Sequence, residues 1–342
     1  MNYTEMLNTV RDNASAQYQA RIPEATQTNL DEIRYAMIDA DNIMVANEFM
    51  STIMNKFAKS VVHTRLFANP LKNFKKGKKP LGDVIEEIYT NFIKAVKYND
   101  NSGASLMERS LPDTKTVYHR MNRKDQYPIT VNREQLSKAF SSYDALEKFI
   151  TGIIDQLYNS AELDEFILMK QLIESAITNK AVKTVEIADP NTSEQNGRDF
   201  IKAVKTASGL MAFPNSDWNG YLTAQTTDTK PIVTFSRKNE QILVLDTATD
   251  ISVSVDVLAS TFNMSVADFN DTRKVVIDAF PVANVRAALV DEAFFQVYDD
   301  FFAVTSWNNP KSLYDNYYLN VWQTMAYSPL VNAVVFTVPE SA

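Results

Sequence analysis

The chain has no cysteine and only two histidines, His63 and His119, among its 342 residues. Without cysteine it cannot form disulfides, thiolate zinc sites or iron–sulfur centres, and it has no cysteine nucleophile. Two histidines in separate segments exclude a histidine-rich metal site and leave at most two candidate bases for a Ser-His-Asp triad. A structural or exposed position is the interpretation we favour for each of them. The side chains that most often perform catalysis are therefore scarce.

Glycine is also scarce, at 7 of 342 residues, which is about 2% where roughly 7% is usual. Phosphate-binding loops depend on glycine, and no three of the seven have the spacing of a dinucleotide-binding motif. Gly77 and Gly82 have the outer spacing of a phosphate loop, but Asp83 and Val84 stand where that motif has Lys and Ser or Thr. The sequence thus predicts no cofactor.

Long apolar runs are missing as well. No run approaches the roughly 18 apolar residues that indicate a transmembrane helix, and the first residues lack the basic start and apolar stretch of a secretion signal. We expect a soluble protein made in a cytoplasm, with no membrane contact. The 34 basic and 42 acidic residues give a net charge of -8, which argues against a polyanion binder held by bulk electrostatics.

Charge is nevertheless arranged in blocks. Residues 1–48 are acidic, whereas residues 56–79 contain no acid at all. The sharpest charged feature is a lysine cluster: Lys72, Lys75, Lys76, Lys78 and Lys79. It has three interpretations, namely a solvated loop, a contact with an acidic patch on a neighbouring subunit, or a nucleic-acid contact. Base stacking is disfavoured because Phe74 is the one aromatic residue interleaved with these lysines.

The first third of the chain shows weak or broken patterns. Residues 1–28 are polar with weak periodicity, which is typical of an arm that gains order from whatever it touches. A helical repeat from Phe49 to Phe57 predicts a short amphipathic helix. Prolines and glycines interrupt residues 69–131, and only the end of this stretch, from Tyr127 to Val131, alternates as a strand does. Residues 84–96 repeat at helical spacing, although β-branched and aromatic side chains dominate there.

The strongest element is a helix predicted over residues 144–179, with Asp144 and Glu147 as a capping pair and Gly152 as the site of a bend. A loop follows from Ala188 to Gly197. The sequence then predicts strands at 231–235, 242–245, 251–257, 274–277 and 287–290, a short helical turn over 257–269, and mainly strands from 294 to 338. The fold class is therefore α+β.

Three pairs of adjacent acids are candidates for acid–base catalysis or for binding a hard cation. They are Glu86-Glu87, Asp164-Glu165 and Asp299-Asp300. Neighbours on a strand point to opposite faces, and neighbours on a helix diverge by about 100°. We therefore interpret these acids as solvated faces or salt-bridge partners and not as catalytic pairs.

Several segments carry a resemblance to a known family. The stretch NPLKNFKKGKKPLGDVIEEIYT (69–90) closely resembles the corresponding part of the major capsid, or head, protein of phi29-like short-tailed bacteriophages. Four further segments match in the same order: YNSAELDEFILMK (158–170), VDVLASTFNMSVADF (255–269), ALVDEAFFQVYDD (288–300) and NPKSLYDNYYLNVWQTMAYSPLVNAVVF (309–336). The resemblance covers most of residues 69–338, whereas the N-terminal segment matches poorly.

This resemblance implies the HK97-like capsid fold and its parts. They would be an N-terminal arm (1–68), an extended loop (69–131), a peripheral domain (132–190 and 300–342) with a spine helix at 144–179, and an axial domain (191–299). It also implies that residues 84–96 form strands within the extended loop, since strands covered on both faces lose their alternation. The immunoglobulin-like domain that follows the capsid fold in phi29 is expected to be absent here.

The function that the resemblance implies is structural. The chain would assemble through pentamers and hexamers into an icosahedral or prolate head around double-stranded DNA, which it would contact without specificity. A scaffolding protein and a portal protein would be its other partners, and the virion its final location after synthesis in the bacterial cytoplasm. The expected inter-subunit contacts are Lys72, Lys75, Lys76, Lys78, Lys79, Glu86 and Glu87. A cargo-enclosing nanocompartment of the same fold and a carboxylate-metal hydrolase are the alternatives.

Overall fold

The computed structural model of this chain divides into two compact units, each assembled from three segments of the sequence. The first unit comprises Met1–Asn69, Asn122–Glu165 and Asp299–Gln323, and the second comprises Pro70–Met121, Phe166–Tyr298 and Thr324–Ala342. The structure describes residues 3–26, 28–38, 43–52, 67–96, 109–140, 143–221, 230–255, 273–309 and 314–339.

Helices and strands occur together, which confirms the predicted α+β class. The α-helices of the described residues are Tyr3–Asn13, Ala16–Arg21, Leu30–Ile38, Ile43–Thr52, Arg133–Ala139, Tyr143–Thr178, Glu194–Met211 and Thr247–Val255. The strands are β1 (Gly77–Lys78), β2 (Ile85–Thr90), β3 (Thr114–His119), β4 (Arg123–Asn132), β5 (Lys183–Glu186), β6 (Gln241–Asp246), β7 (Arg273–Ile277), β8 (Val285–Asp291), β9 (Phe295–Asn309), β10 (Tyr314–Tyr327) and β11 (Ala333–Thr337). Their order is β1-β9-β10-β4 in one sheet and β5-β11-β8-β6-β7 in another, and β2 and β3 form a two-stranded sheet.

In the first unit, β4 is the alternating strand that the sequence predicts. It pairs antiparallel with β10, so that Tyr127 lies opposite Leu319 and Val131 opposite Asp315. Val131 is buried and Tyr127 is half-buried, whereas Pro128 between them is exposed. The strand lies at the edge of its sheet, a position that tolerates Pro128 because proline has no N–H to donate to a further strand.

The N-terminal residues differ from the expected arm. Val10 and Tyr18 are almost fully buried in the same core cluster as Phe49 and Phe140. The expectation that this segment lacks structure of its own is wrong for residues 3–26, because a few widely spaced apolar side chains suffice to fix short helices on a core. The helix predicted from Phe49 is present as Ile43–Thr52. Its predicted continuation to Phe57, and His63, lie outside the described residues.

The long helix Tyr143–Thr178 confirms the prediction for residues 144–179 within one residue at each end. Its apolar stripe supplies Leu157 and Ala161 to the core of the first unit and Ile173 and Ala176 to the core of the second unit. The proposed capping side chains at its start lie outside the described part of the chain. The 3.6-residue period is therefore the feature that identified this element.

The five-stranded sheet of the second unit is the other well-predicted element. Strands β6, β7 and β8 fall on the three segments 242–245, 274–277 and 287–290. The whole of β6 is buried, with β7 parallel on one side and β8 antiparallel on the other. The prediction that strands dominate residues 294–338 is confirmed by β9, β10 and β11.

Three predictions for the second unit are wrong. Residues 251–255 end the helix Thr247–Val255 and are not a strand; the Asp246 carboxylate accepts the N–H of Thr249 at 2.6 Å, which favours a helix start over the alternating pattern. Segment 231–235 forms only an isolated bridge from Thr234 to Asn215. The loop predicted to run to Gly197 ends earlier, because Ser193 caps the helix Glu194–Met211. The predicted helical turn over 257–269 lies outside the described residues.

Candidate contact surface on a two-stranded ribbon

Strands β2 and β3 form an antiparallel ribbon, which comprises residues 85–90 and 114–119. Its register runs from Ile85 opposite His119 to Thr90 opposite Thr114. The strand that the resemblance implied for this stretch is thus confirmed over 85–90, and the helix that the spacing of apolar residues suggested is wrong there. Alternation gives the ribbon two faces. The inner face carries Ile85, Glu87, Tyr89, Lys115, Val117 and His119, and the outer face carries Glu86, Ile88, Thr90, Thr114, Thr116 and Tyr118.

The inner face packs on other residues of the second unit, to which the ribbon itself belongs. Tyr89 and Val117 are half-buried against a small cluster formed by Tyr221, Ile232 and Leu330. The Tyr89 hydroxyl donates a hydrogen bond to the carbonyl oxygen of Val233, and burial raises the pKa of this phenol. The inner face therefore has its partners within the chain.

Polar side chains on the inner face are also paired. His119 is 5% exposed, and its Nε2 lies 2.9 Å from Oε2 of Glu87. The other oxygen of Glu87 accepts a hydrogen bond from the Ser328 hydroxyl. Lys115 is buried and forms an ion pair with Asp113 at 3.1 Å. His119 has the structural setting expected for it, and Glu87 faces its own chain and not the solvent.

The outer face is exposed, and it carries two large hydrophobic side chains beside three threonines and Glu86. Ile88 and Tyr118 are each 60% exposed. The Tyr118 hydroxyl donates to Glu86 at 3.0 Å, and this hydrogen bond raises the pKa of Tyr118. A β-branched side chain and an aromatic ring on a solvent-facing strand are typical of a surface that another protein covers.

More exposed apolar side chains lie in the segments that adjoin the two strands of the ribbon, after β2 and before β3. Phe92 is 55% exposed, Ile93 77% and Leu111 82%. The ring of Phe92 stacks on that of Phe235 at a centroid distance of 6.4 Å. The exposed apolar surface of this region is therefore not confined to the ribbon.

The five lysines of the cluster differ in exposure and in the contacts they make within the chain. Leu71 and Phe74 are buried, and Phe74 stacks on Phe295 at 6.0 Å, which anchors the segment. Lys76 donates from Nζ to the carbonyl oxygen of Glu292 at 3.1 Å. Lys79 is only 8% exposed and donates to the carbonyl oxygen of Asp83. Lys75 is half-buried, whereas Lys72 and Lys78 are exposed.

Comparison with known proteins identifies the family. Residues 7–337 match the model of the Phi29-like phage major capsid protein. The chain belongs to this family. It is 33% identical over 335 residues to the major capsid protein of Bacillus phage PZA, covering 97% of this chain and 72% of the relative. It is 32% identical over 335 residues to that of Bacillus phage B103, with the same coverage.

The fold of this capsid protein agrees with a solved capsid structure. The capsid structure of Staphylococcus phage Andhra matches with a TM-score of 0.65 and 11% sequence identity, covering 82% of this chain and 86% of the other. The predicted HK97-like phage capsid fold is thereby confirmed. No helix among the described residues is long and apolar enough to cross a lipid bilayer.

The paired carboxylates of the capsid protein have structural partners. Asp164 accepts from the Tyr127 hydroxyl at 2.6 Å, and Gln323 donates to both Glu165 and Asp299. Arg123 completes the network, with hydrogen bonds to Gln323 at 2.6 Å and to the Tyr127 hydroxyl at 2.8 Å. Within the described residues, no group of three or more histidines and acids could hold a metal ion. The arrangement ties β4, β10 and the long helix together within the first unit.

The contact residues predicted from the sequence are all charged, whereas the structure also shows exposed apolar side chains in this region. They are Ile88, Phe92, Ile93, Leu111 and Tyr118. The sequence signal for them is a strand with apolar side chains at both odd and even positions, which predicted the strand here but was not used to predict contact residues.

Proposed function

We propose that this capsid protein builds the phage head as pentamers and hexamers, in which each copy presents the outer face of its ribbon to a neighbouring copy. The observation that carries this proposal is the pair of large hydrophobic side chains on the exposed outer face, Ile88 and Tyr118, each 60% exposed. Identical chains that meet through such unlike surfaces form rings, and rings that meet again can close into a container. The role is structural and non-enzymatic.

We adopt the domain boundaries that the resemblance implies. The arm would be residues 1–68, the extended loop 69–131, the peripheral domain 132–190 with 300–342, and the axial domain 191–299. The ribbon belongs to the extended loop in this scheme. A scaffolding protein, a portal protein and double-stranded DNA would be the further partners, with synthesis in the cytoplasm of the bacterial host.

The charge of the chain is compatible with DNA as non-specific cargo. A net charge of -8 keeps a shell from binding densely packed DNA tightly while it enters. The cargo-enclosing nanocompartment differs in this respect, because its particles would hold protein. Membership in a phage capsid family favours the DNA-filled head.

Lys72 and Lys78 remain contact candidates because both are exposed. Charge-reversal at these two positions should leave the chain folded and reduce particle yield, since charged pairs at an interface set register and partner choice. Lys79 is a poor test position because its side chain is only 8% exposed. Reversal of Lys202 and Lys238 provides a control with the same change in net charge. Equal yields from the Lys72/Lys78 variant and the wild type would exclude the lysines from the contact.

The proposed function is tested by sedimentation and electron microscopy of the purified protein, with and without a scaffolding protein. Closed shells that protect double-stranded DNA from nuclease in the phage support the proposal. A species that stays at 38.7 kDa under all conditions would overturn it, and particles that hold protein cargo without DNA would favour the nanocompartment.

A further inference from the structure

The ribbon rests on its own chain through a small and incompletely packed contact. The apolar part consists of Tyr89 and Val117 against three buried residues, Tyr221, Ile232 and Leu330. A cavity of about 120 Å³ remains beneath the ribbon, with Glu87, Thr234 and Asp291 among the residues that line it. Because apolar burial here is modest, the ribbon depends on its hydrogen bonds for a fixed position.

Glu87 makes the central hydrogen bonds. One carboxylate oxygen accepts from Ser328, and the other lies 2.9 Å from Nε2 of His119 on β3. Ser328 is itself held, because its N–H donates to the carbonyl oxygen of Phe294 at 2.9 Å and its Oγ accepts the N–H of Leu330 at 3.1 Å. The carboxylate therefore joins both strands of the ribbon to a rigid turn.

Asn91 makes a second attachment at the end of β2. Its Nδ2 donates to the carbonyl oxygen of Pro231 at 2.9 Å, and its Oδ1 accepts the N–H of Val233 at 3.1 Å. This pair of bonds to backbone groups resembles the pairing between strands. The N–H of Asn91 also donates to the carbonyl oxygen of Asp113 at 2.9 Å, which closes the ribbon between its two strands.

We propose that Glu87 and Asn91 are positioning residues, which clasp the ribbon to the rest of the second unit so that its outer face is presented to the neighbouring copy at a fixed angle. This inference rests on the proposed function for its consequence in assembly, but the clasp itself acts within one chain. Holding the ribbon before assembly removes the conformational entropy that a free ribbon would lose on binding. Glu87, predicted to contact another subunit, thus acts on its own chain.

Hydrogen–deuterium exchange of the unassembled protein tests the clasp. Glu87→Ala and Asn91→Ala should each speed exchange in residues 85–90 and 114–119 by about tenfold or more, since each variant loses at least two hydrogen bonds. Exchange in β6 and β8 should not change. Thr116→Ala is the matched control, because its exposed side chain lies on the outer face and its loss should leave exchange in the ribbon unchanged.

Assembly and rescue separate positioning from simple stability. Both clasp variants should unfold at a temperature near that of the wild type and yet form shells more slowly, and Glu87→Gln should restore much of the rate because its amide oxygen can still accept from Ser328. If Glu87→Ala fails to fold, Ser328→Ala gives the same comparison. Unchanged exchange in the ribbon would overturn the clasp, and faster exchange with normal assembly would overturn its positioning role. Failure of the wild type to assemble would count against the proposed function and not against the clasp.

Discussion

Loss of the apolar outer face of the ribbon should weaken contact between copies without unfolding the chain. The perturbation is the double variant Ile88→Thr with Tyr118→Thr, which places a β-branched side chain suited to a strand at both positions. Full burial of an isoleucine contributes about 1.5–3 kcal/mol, so covering the 60% of Ile88 that is exposed contributes about 1–2 kcal/mol. The exposed 60% of Tyr118 contributes about 2–4 kcal/mol at roughly 25 cal/mol/Å².

Threonine retains part of this contact, and a neighbouring copy covers only part of each side chain. We therefore expect a loss of about 2 kcal/mol per contact, which lowers the association constant between two copies by about 30-fold. Light scattering over a concentration series should show the threshold for shell formation rise accordingly, while the unfolding temperature stays the same. Ile251→Thr is the matched control, because Ile251 is 58% exposed and lies outside the ribbon. An unchanged threshold for the double variant, or an equal rise for the control, would refute this reasoning.

Two further predictions concern the second unit. Gly220→Ala should destabilise this unit by about 3 kcal/mol or more in thermal unfolding, because the added Cβ would lie 1.8 Å from the carbonyl oxygen of Ala181. Gly209→Ala is the control, because Gly209 has open space around it, and it should leave the free energy of unfolding unchanged. Equal effects of the two substitutions would contradict the argument. The hydrogen bonds of Arg286 to Asp189 lower the pKa of that carboxyl. The ion pair should therefore add about 1 kcal/mol to the free energy of unfolding. This stabilisation is complete above about pH 4 and is lost as the pH falls through the lowered pKa. Asp189→Asn should therefore be less stable than the wild type at neutral pH and equal to it in acid, and a difference that persists in acid would show that the ion pair is not its cause.

The elements predicted well are those whose signal is local and repeated. The long helix Tyr143–Thr178 keeps one apolar stripe over 36 residues, and β4 alternates between solvent and a single core. In both elements, one face packs on the core and the other faces solvent, so the spacing of apolar residues alone identifies the element. Strand β6 was found from its continuous apolar run, which fits its burial on both faces.

The elements predicted wrongly have competing local signals. Residues 251–255 alternate between β-branched residues and serine as a strand would, yet the carboxylate of Asp246 caps a helix there. Val253 is buried in a core cluster of the second unit, which stabilises the helix. Propensity is a weak prior, and a cap together with tertiary packing overrides it.

The ribbon explains why the candidate contact surface was only partly predicted. Residues 84–96 suggested a helix because apolar side chains occur on both faces of β2, as Ile88 and Tyr89 illustrate. Tyr89 faces the rest of the second unit, and Ile88 faces solvent. The sequence of one chain shows a partner for the inner face only, and the partner that we propose for the outer face is a second copy.

Thiol labelling of the outer face tests the central claim most directly. The chain has no cysteine, so Thr116→Cys places a single thiol on the exposed outer face of β3. The account predicts rapid labelling of the unassembled protein and labelling at least about tenfold slower in closed shells, where a neighbouring copy covers the thiol. Equal labelling rates in shells and in unassembled protein would contradict it.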